Sequence, residues 1–240
     1  MVLAAGLGTR LRPLTNDRPK ALVEIAGRTM LEITLTRLRA FGISEVIVNV
    51  HHFADMVVDY LQAHKNFNMH IEISRENELL DTGGGLKKAA WFFLDGSASA
   101  DVPFLLHNVD ILSNFDFARM LAYHREKNAL ATLAVQQRDS SRLLLFNQDE
   151  QLCGRQSNKE SLEAAVNALA FAGIHILSPR LLSMLQEEGA FSIIDAYLRL
   201  AAQGERILAC RDDSAYWRDL GKPESVALAE EDLADGRFEA

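Results

Sequence analysis

Cysteine is nearly absent. Cys153 and Cys210 are the only two in 240 residues, and neither belongs to a CxxC pair. That excludes a disulfide framework and a thiolate zinc module, and it points to a reducing, cytoplasmic setting. No apolar run reaches the ~20 residues of a membrane span. The opening Met1-Val2-Leu3-Ala4-Ala5-Gly6 has no basic flank and too short an apolar core for a signal peptide. Positive charge is also the scarcer sign: 25 Lys and Arg against 33 Asp and Glu leave a formal net charge of -8. Such a chain is a poor candidate for non-specific binding to nucleic acid or a membrane surface. An anionic ligand must therefore be met by a local basic cluster or by a divalent cation. Internal repeats and low-complexity segments are missing too.

What remains is ordinary globular composition, 48% hydrophobic and 24% charged. A chain of this length buries roughly 70–75% of its unfolded surface and needs no staple. Its first half alternates between two periods. Leu31, Leu35 and Leu38 predict a helix over 30–41, stopped at Gly42. Val46 to Val50 is a β-branched run that reads as a buried strand. A helix over 56–61, a strand at Ile71-Glu72-Ile73, a helix over 86–93 opened by three glycines, and a strand from Phe104 follow. The second half predicts strands over 130–136, 143–146 and 168–177 and a helix over 193–202. It also carries a polar, irregular stretch over 148–167 and an acidic helical tail from Glu224.

This β-α-β-α succession predicts a mostly parallel sheet with helices on both faces, in one domain over 1–240. Ligands in such sheets bind beyond the carboxyl ends of the strands. The informative places are then the loops after apolar runs: Ala5 to Lys20, Leu79 to Lys87, and Asn108 to Ser113.

The first loop reads Ala5-Gly6-Leu7-Gly8-Thr9-Arg10-Leu11-Arg12-Pro13-Leu14-Thr15, with Pro19-Lys20 beyond it. Glycines let backbone N–H groups turn toward a phosphate, and a guanidinium forks two of its oxygens. The dinucleotide fingerprint GxGxxG fails here, because Leu11 stands at the third glycine, and GxxxxGK[ST] is absent. A solvated glycine turn with two surface arginines is the plainer alternative for the bare Gly-x-Gly.

The full string resembles the signature of sugar-1-phosphate nucleotidyltransferases. The resemblance continues through Leu80-Asp81-Thr82-Gly83-Gly84-Gly85, Asn108-Val109-Asp110, Phe171-Ala172-Gly173-Ile174 and Trp217-Arg218-Asp219-Leu220-Gly221. It covers nearly the whole chain and looks most like the short members, the N-acetylmuramate-1-phosphate uridylyltransferases and the mannose- or heptose-1-phosphate guanylyltransferase-like proteins. The resemblance implies a Rossmann-like three-layer α/β sandwich without a C-terminal β-helix, and a Mg²⁺-dependent reaction. In that reaction a sugar-1-phosphate attacks the α-phosphate of a nucleoside triphosphate and releases pyrophosphate. Carried over by position, it implies Arg10 and Lys20 as the catalytic, phosphate-stabilising pair. Leu3, Ala4, Ala5, Gly6, Gly8, Thr9, Thr82, Gly83, Gly84 and Asn108 become nucleotide contacts, and Gly173 and Asn108 sugar-phosphate contacts. Asp110 and Asp219 become the metal carboxylates. Residues 1–130 form a nucleotide-binding half and 131–240 a sugar-phosphate half, and a homo-oligomer is allowed.

Charge chemistry agrees with this picture: bringing two anions in line needs cations and Mg²⁺ more than a general base. Two carboxylates sharing one ion would repel when it is absent. Plainer readings stand beside these. Asp110 could cap the helix that follows, Asp219 could be a turn residue before Gly221, and the three glycines could form only a tight turn. His51-His52 has no third ligand at helpful spacing, His107 and Trp217 suit packing, and the acidic tail (Glu224, Glu230, Glu231, Asp232, Asp235, Glu239) suits a solvated face. There are departures from the family pattern as well. The chain begins inside the first strand, a Glu-Lys-Pro element of longer relatives is missing, and Val109 replaces a common glycine. A catalytically silent binding module and a redox dinucleotide domain are the competing classes. The four charged residues argue against the first, and the failed third glycine against the second.

Overall fold

The computed structural model describes residues 1–94, 102–156 and 167–238. In chain order its elements begin with β1 (Val2–Leu3), β2 (Glu24–Ile25), β3 (Arg28–Thr29), α1 (Met30–Ala40), β4 (Glu45–Val50), α2 (Ala54–Ala63) and β5 (His70–Arg75). Next come α3 (Asp81–Lys88), α4 (Trp91–Leu94), β6 (Phe104–Asn108), β7 (Ile111–Ser113), α5 (Phe117–Glu126), β8 (Ala131–Gln136), β9 (Leu143–Phe146) and β10 (Leu152–Arg155). The last are β11 (Asn167–Leu177), α6 (Arg180–Met184), α7 (Ile193–Ala202), β12 (Ile207–Arg211), β13 (Trp217–Asp219) and α8 (Pro223–Ala234).

A mixed sheet of nine strands runs β10-β9-β11-β6-β1-β4-β5, with β8 on β11 and β12 on β8. The pairs β1–β4, β1–β6, β4–β5 and β8–β12 are parallel. Two compact units divide the chain. One contains Met1–Asp81, His107–Asn114 and Tyr216–Ala240, and the other Thr82–Leu106 and Phe115–Ala215.

In the first unit, local chemistry explains the elements. Thr29 caps α1 by accepting a hydrogen bond from the Glu32 N–H at 3.0 Å. Gly42, in the left-handed region, ends it. Val46, Ile47 and Val48 are fully buried, as the β-branched run of β4 predicts. A separate two-stranded ribbon pairs β7 with β13.

In the second unit, three glycines sit inside α3 rather than before it. Helical glycine costs about 1 kcal/mol relative to alanine, so tertiary contact must hold this helix. The Gly83 N–H donates to the Phe191 carbonyl at 2.9 Å, and a Cβ on Gly83 would stand 2.2 Å from the Phe191 ring. The predicted helix over 86–93 is therefore two, α3 and α4. The stretch read as irregular contains β10, which pairs with β9, while 157–166 lie outside the described residues.

Candidate active site

The first loop is folded on itself around Gly8. Gly8 has φ 65°, and its carbonyl accepts from the Leu11 N–H at 2.8 Å and from the Thr15 hydroxyl at 2.8 Å. A Cβ there would meet Thr15 Cγ2 at 2.9 Å and Lys20 Cβ at 3.2 Å, so only glycine lets the loop close over Lys20. Gly6 is different. Its φ is not positive, and among the described residues nothing lies within 4 Å of where a Cβ would stand. The chain's own packing does not ask for glycine at that position.

Three links within the first unit tie the predicted charged residues together. The Lys20 ammonium donates to Asp110 Oδ2, and both side chains are largely buried. Asp110 precedes β7, and its carbonyl accepts from the Leu220 N–H at 2.9 Å, which sets Asp219 on the neighbouring strand. Asp219 Oδ1 accepts from the Gly221 N–H at 2.7 Å. A Cβ on Gly221 would lie 2.8 Å from Arg10 Nη2 and 2.7 Å from Asp219 Oδ1, so glycine makes room for that guanidinium.

Behind this cluster, a buried polar chain holds the strand ends. The Ala4 N–H donates to Asn49 Oδ1 at 2.7 Å, Asn49 Nδ2 donates to Glu76 Oε1 at 2.6 Å, and Glu76 Oε2 accepts from the Leu80 N–H at 3.0 Å. Sequence reasoning missed Asn49 and Glu76. A carboxylate directly after an exposed-looking strand end carried no spacing signal. Asn108 Oδ1 is buried and has no hydrogen-bond partner among the described residues. His107 is buried beside it, and desolvation lowers its pKa to about 4.

Thr82, Gly83, Gly84 and Gly173 belong to the second unit. Thr82 Oγ1 accepts from the Ile193 N–H at 3.0 Å, at the start of α7, and Gly83 packs under Phe191. Both residues thus have structural work that the motif did not reveal. Gly173 has φ 76°, where the register of β11 against β8 shifts between Phe171 and His175. Arg138 donates to the Phe171 carbonyl at 2.7 Å.

Several plainer readings are now decided. Asp110 does not cap α5, because Asp116 does so, accepting from the Arg119 N–H at 3.0 Å. Asp219 does hold the turn at Gly221, with one of its two oxygens. The carboxylates do not face each other uncompensated, because an ammonium sits on Asp110. Trp217 is half-buried rather than core. Asp232 is no part of a solvated face: its side chain is 2% exposed. Among the described residues, no group of three or more His, Cys, Asp or Glu is placed to hold a metal.

The nucleotidyl transferase family matches residues 1–236. An N-acetylmuramate alpha-1-phosphate uridylyltransferase of Caulobacter vibrioides is 35% identical over 248 residues, which cover 98% of this chain and 96% of that protein. A mannose-1-phosphate guanylyltransferase catalytic subunit beta of Dictyostelium discoideum is 29% identical over 93% of this chain, which spans 61% of that longer relative. Among solved structures, HddC from Yersinia pseudotuberculosis complexed with GMP-PN shares the fold at TM-score 0.75 and 24% identity, covering 97% of each chain. UDP-glucose pyrophosphorylase complexed with UDP-glucose does so at TM-score 0.78 and 19% identity, covering 98% of each.

Proposed function

The chain belongs to the nucleotidyl transferase family, and on that premise we propose that it transfers a nucleoside monophosphate from a nucleoside triphosphate to a sugar-1-phosphate. Pyrophosphate and an NDP-sugar are the products. The observation that carries this reading is the convergence of Arg10, Lys20, Asp110 and Asp219 in one unit, through Gly8, Gly221 and the β7–β13 ribbon. Two cations and two carboxylates are the set that anion-on-anion transfer demands.

In this reading Gly6 admits a phosphate against its backbone, and Gly8 and Thr9 shape the loop that wraps the triphosphate. Leu3, Ala4, Ala5 and Asn108 border the nucleotide from the ends of β1 and β6. The unsatisfied Asn108 oxygen accepts from a hydroxyl of ribose or sugar. Thr82, Gly83 and Gly84 are assigned to the nucleotide and Gly173 to the sugar phosphate, with nucleotide handling in 1–130 and sugar-phosphate handling in 131–240. Arg10 and Lys20 neutralise the charge that grows as the sugar-phosphate oxygen bonds to the α-phosphorus and the bridging oxygen departs with pyrophosphate. The attacking oxygen is already anionic, so no proton has to be removed from it.

Asp110 and Asp219 fit Mg²⁺. Hard carboxylate oxygens suit it, and it takes one or two of them while phosphates and water complete its shell. Bound there, Mg²⁺ supplies charge neutralisation across the phosphates. The first substrate pair is UTP with N-acetylmuramate-1-phosphate, supported by the relative that matches over nearly its full length. GTP with mannose- or heptose-1-phosphate is the second, supported by the guanylyltransferases. The setting is cytoplasmic in this reading, with neither nucleic acid nor membrane as partner.

A pyrophosphate-release screen of UTP, GTP, dTTP, ATP and CTP against a panel of sugar-1-phosphates, with and without Mg²⁺, tests it. Turnover of at least one pair only with the metal is the expected result. Silence of every pair would leave a binding module.

A further inference from the structure

The strand that carries Asp219 is only three residues long, yet it is held from behind by an ionic clamp centred on a buried carboxylate. Asp232, on α8, accepts at Oδ2 from the Tyr216 hydroxyl at 2.6 Å and from Arg218 Nε at 2.9 Å, and it also pairs with Arg218 Nη2. Its other oxygen takes Arg237 Nη1 at 2.7 Å. Arg218 Nε reaches the Tyr216 hydroxyl as well, at 3.1 Å, and the Tyr216 ring stacks on Phe238 at 5.0 Å. From the opposite side, the Tyr216 N–H donates to Asn114 Oδ1 at 2.6 Å, next to β7.

Burying an aspartate among two arginines is a poor way to gain stability, since desolvation offsets most of the attraction and an apolar set would dock α8 as well. What such a cluster supplies is direction: Arg218 brings Nε and Nη2 together onto the one oxygen Oδ2, and these charge-assisted bonds hold its guanidinium against α8. Successive side chains of a strand leave on opposite faces. With Arg218 turned to α8, Asp219 is turned the other way, toward Gly221 and Arg10.

We propose that Asp232 is a positioning residue for the metal carboxylate Asp219, acting through Arg218 and Tyr216 to fix the height and rotation of β13. This rests on the nucleotidyl transfer reading for the role of Asp219, but it can be tested on the metal site alone. Groups hydrogen-bonded to a metal ligand typically change affinity about 10- to 100-fold when removed, and Asp232, acting one step further out through β13, belongs at the lower end of that range.

The test is direct Mn²⁺ binding to the full chain, followed by paramagnetic resonance of the free ion, alongside thermal melting. Asp232→Asn keeps the volume and one acceptor oxygen but loses the charge that both arginines meet. Its Mn²⁺ affinity should fall about 10-fold or more. Arg218→Lys, which cannot fork, should fall several-fold. Ala229→Gly loosens α8 from a fully buried position without touching the clamp. It should lower the melting temperature while leaving Mn²⁺ affinity within twofold.

The proposal is overturned if Asp232→Asn binds within twofold of the parent. It is also overturned if Ala229→Gly loses affinity as Asp232→Asn does, or if the parent takes up no Mn²⁺. Should Asp232→Asn fail to fold, Arg218→Lys is judged by the same twofold criterion. Failure of the activity reading shows elsewhere, as silence of the pyrophosphate screen, and leaves the ratio of Mn²⁺ affinities to be read independently.

Discussion

The Lys20 ammonium is hydrogen-bonded to the Asp110 carboxylate, a residue 90 positions later in the chain. An ammonium on a carboxylate proposed to hold Mg²⁺ occupies a place that the ion needs. The stem of Lys20 packs beneath Gly8 of the loop proposed to hold phosphate, its Cβ 3.2 Å from where a Gly8 Cβ would stand. On the proposed reaction, metal and triphosphate arriving together would satisfy both partners at once: Asp110 would hold the cation, and Lys20 would be released to a phosphate. Lys20→Met should therefore bind Mn²⁺ alone more tightly than the parent, because the competing cation is gone. The same variant should turn over about 10²–10³-fold more slowly, since a donor to the transition state is lost. Equilibrium Mn²⁺ binding and single-turnover pyrophosphate release check the two halves. Weaker Mn²⁺ binding by the variant would refute the exchange.

Arg10 is exposed, and among the described residues no ion pair ties it to the fold, so its removal separates chemistry from stability. Arg10→Ala should leave the melting temperature within about a degree, since surface substitutions usually stay within ±0.5 kcal/mol. Its kcat should fall by about 10²–10³-fold. Near-normal turnover would place Arg10 away from the reacting phosphates.

Gly83 gives the opposite pattern, a site-motif residue whose first duty is packing. A methyl at Gly83 would have to displace the Phe191 ring, which lies 2.2 Å from the Cβ position, and would press on the Phe191 carbonyl at 3.0 Å. Overpacking of this kind costs about 1–3 kcal/mol. Gly83→Ala should lose that much in denaturant unfolding, and Gly83→Ala with Phe191→Leu should recover part of it. A Gly83→Ala protein of parental stability would mean that the Phe191 ring swings freely aside.

Periodic segments declare themselves in the sequence, and contacts between short segments do not. The β-branched run of β4, the leucine spacing of α1 and the 193–202 helix are periodic over a turn or more, so each was legible by itself. The chain positions of Arg10, Lys20, Asp110 and Asp219 were legible through the motif. Their joining through Gly221 and the β7–β13 ribbon was not, because two three-residue strands carry no periodicity. Asp232 was misread for a related reason. In an acidic helix every carboxylate looks solvated, and only the fold shows which one meets Arg218 and Arg237. The motif marks Gly83 and Thr82 as nucleotide contacts, and sequence offers no sign that Phe191 and Ile193 also lie against them.

The last prediction concerns pH and a histidine outside the candidate site. His124, on α5, is buried, with Nδ1 2.9 Å from the Thr132 hydroxyl and Nε2 3.0 Å from that of Ser178. The Ser178 hydroxyl spends its single proton on the Ala129 carbonyl at 2.8 Å, so it accepts from Nε2–H, and Nδ1 accepts from Thr132. The ring is thus held neutral, and burial, then the nearby Arg180 and Arg125, lower its pKa to about 4. Burial does the same to His107. Between pH 6.5 and 4 the unfolded chain binds a proton at each ring that the folded chain refuses, so stability falls as pH falls through that window. The contribution is full above pH 6.5 and is lost toward pH 4, at up to about 1.4 kcal/mol per pH unit for each proton. Urea unfolding at pH 7.5, 6 and 5 should show this slope. His124→Gln, which can still meet two hydroxyls but cannot titrate, should be less steep by about one proton. An unchanged slope in His124→Gln would mean that His124 is protonated in the folded protein.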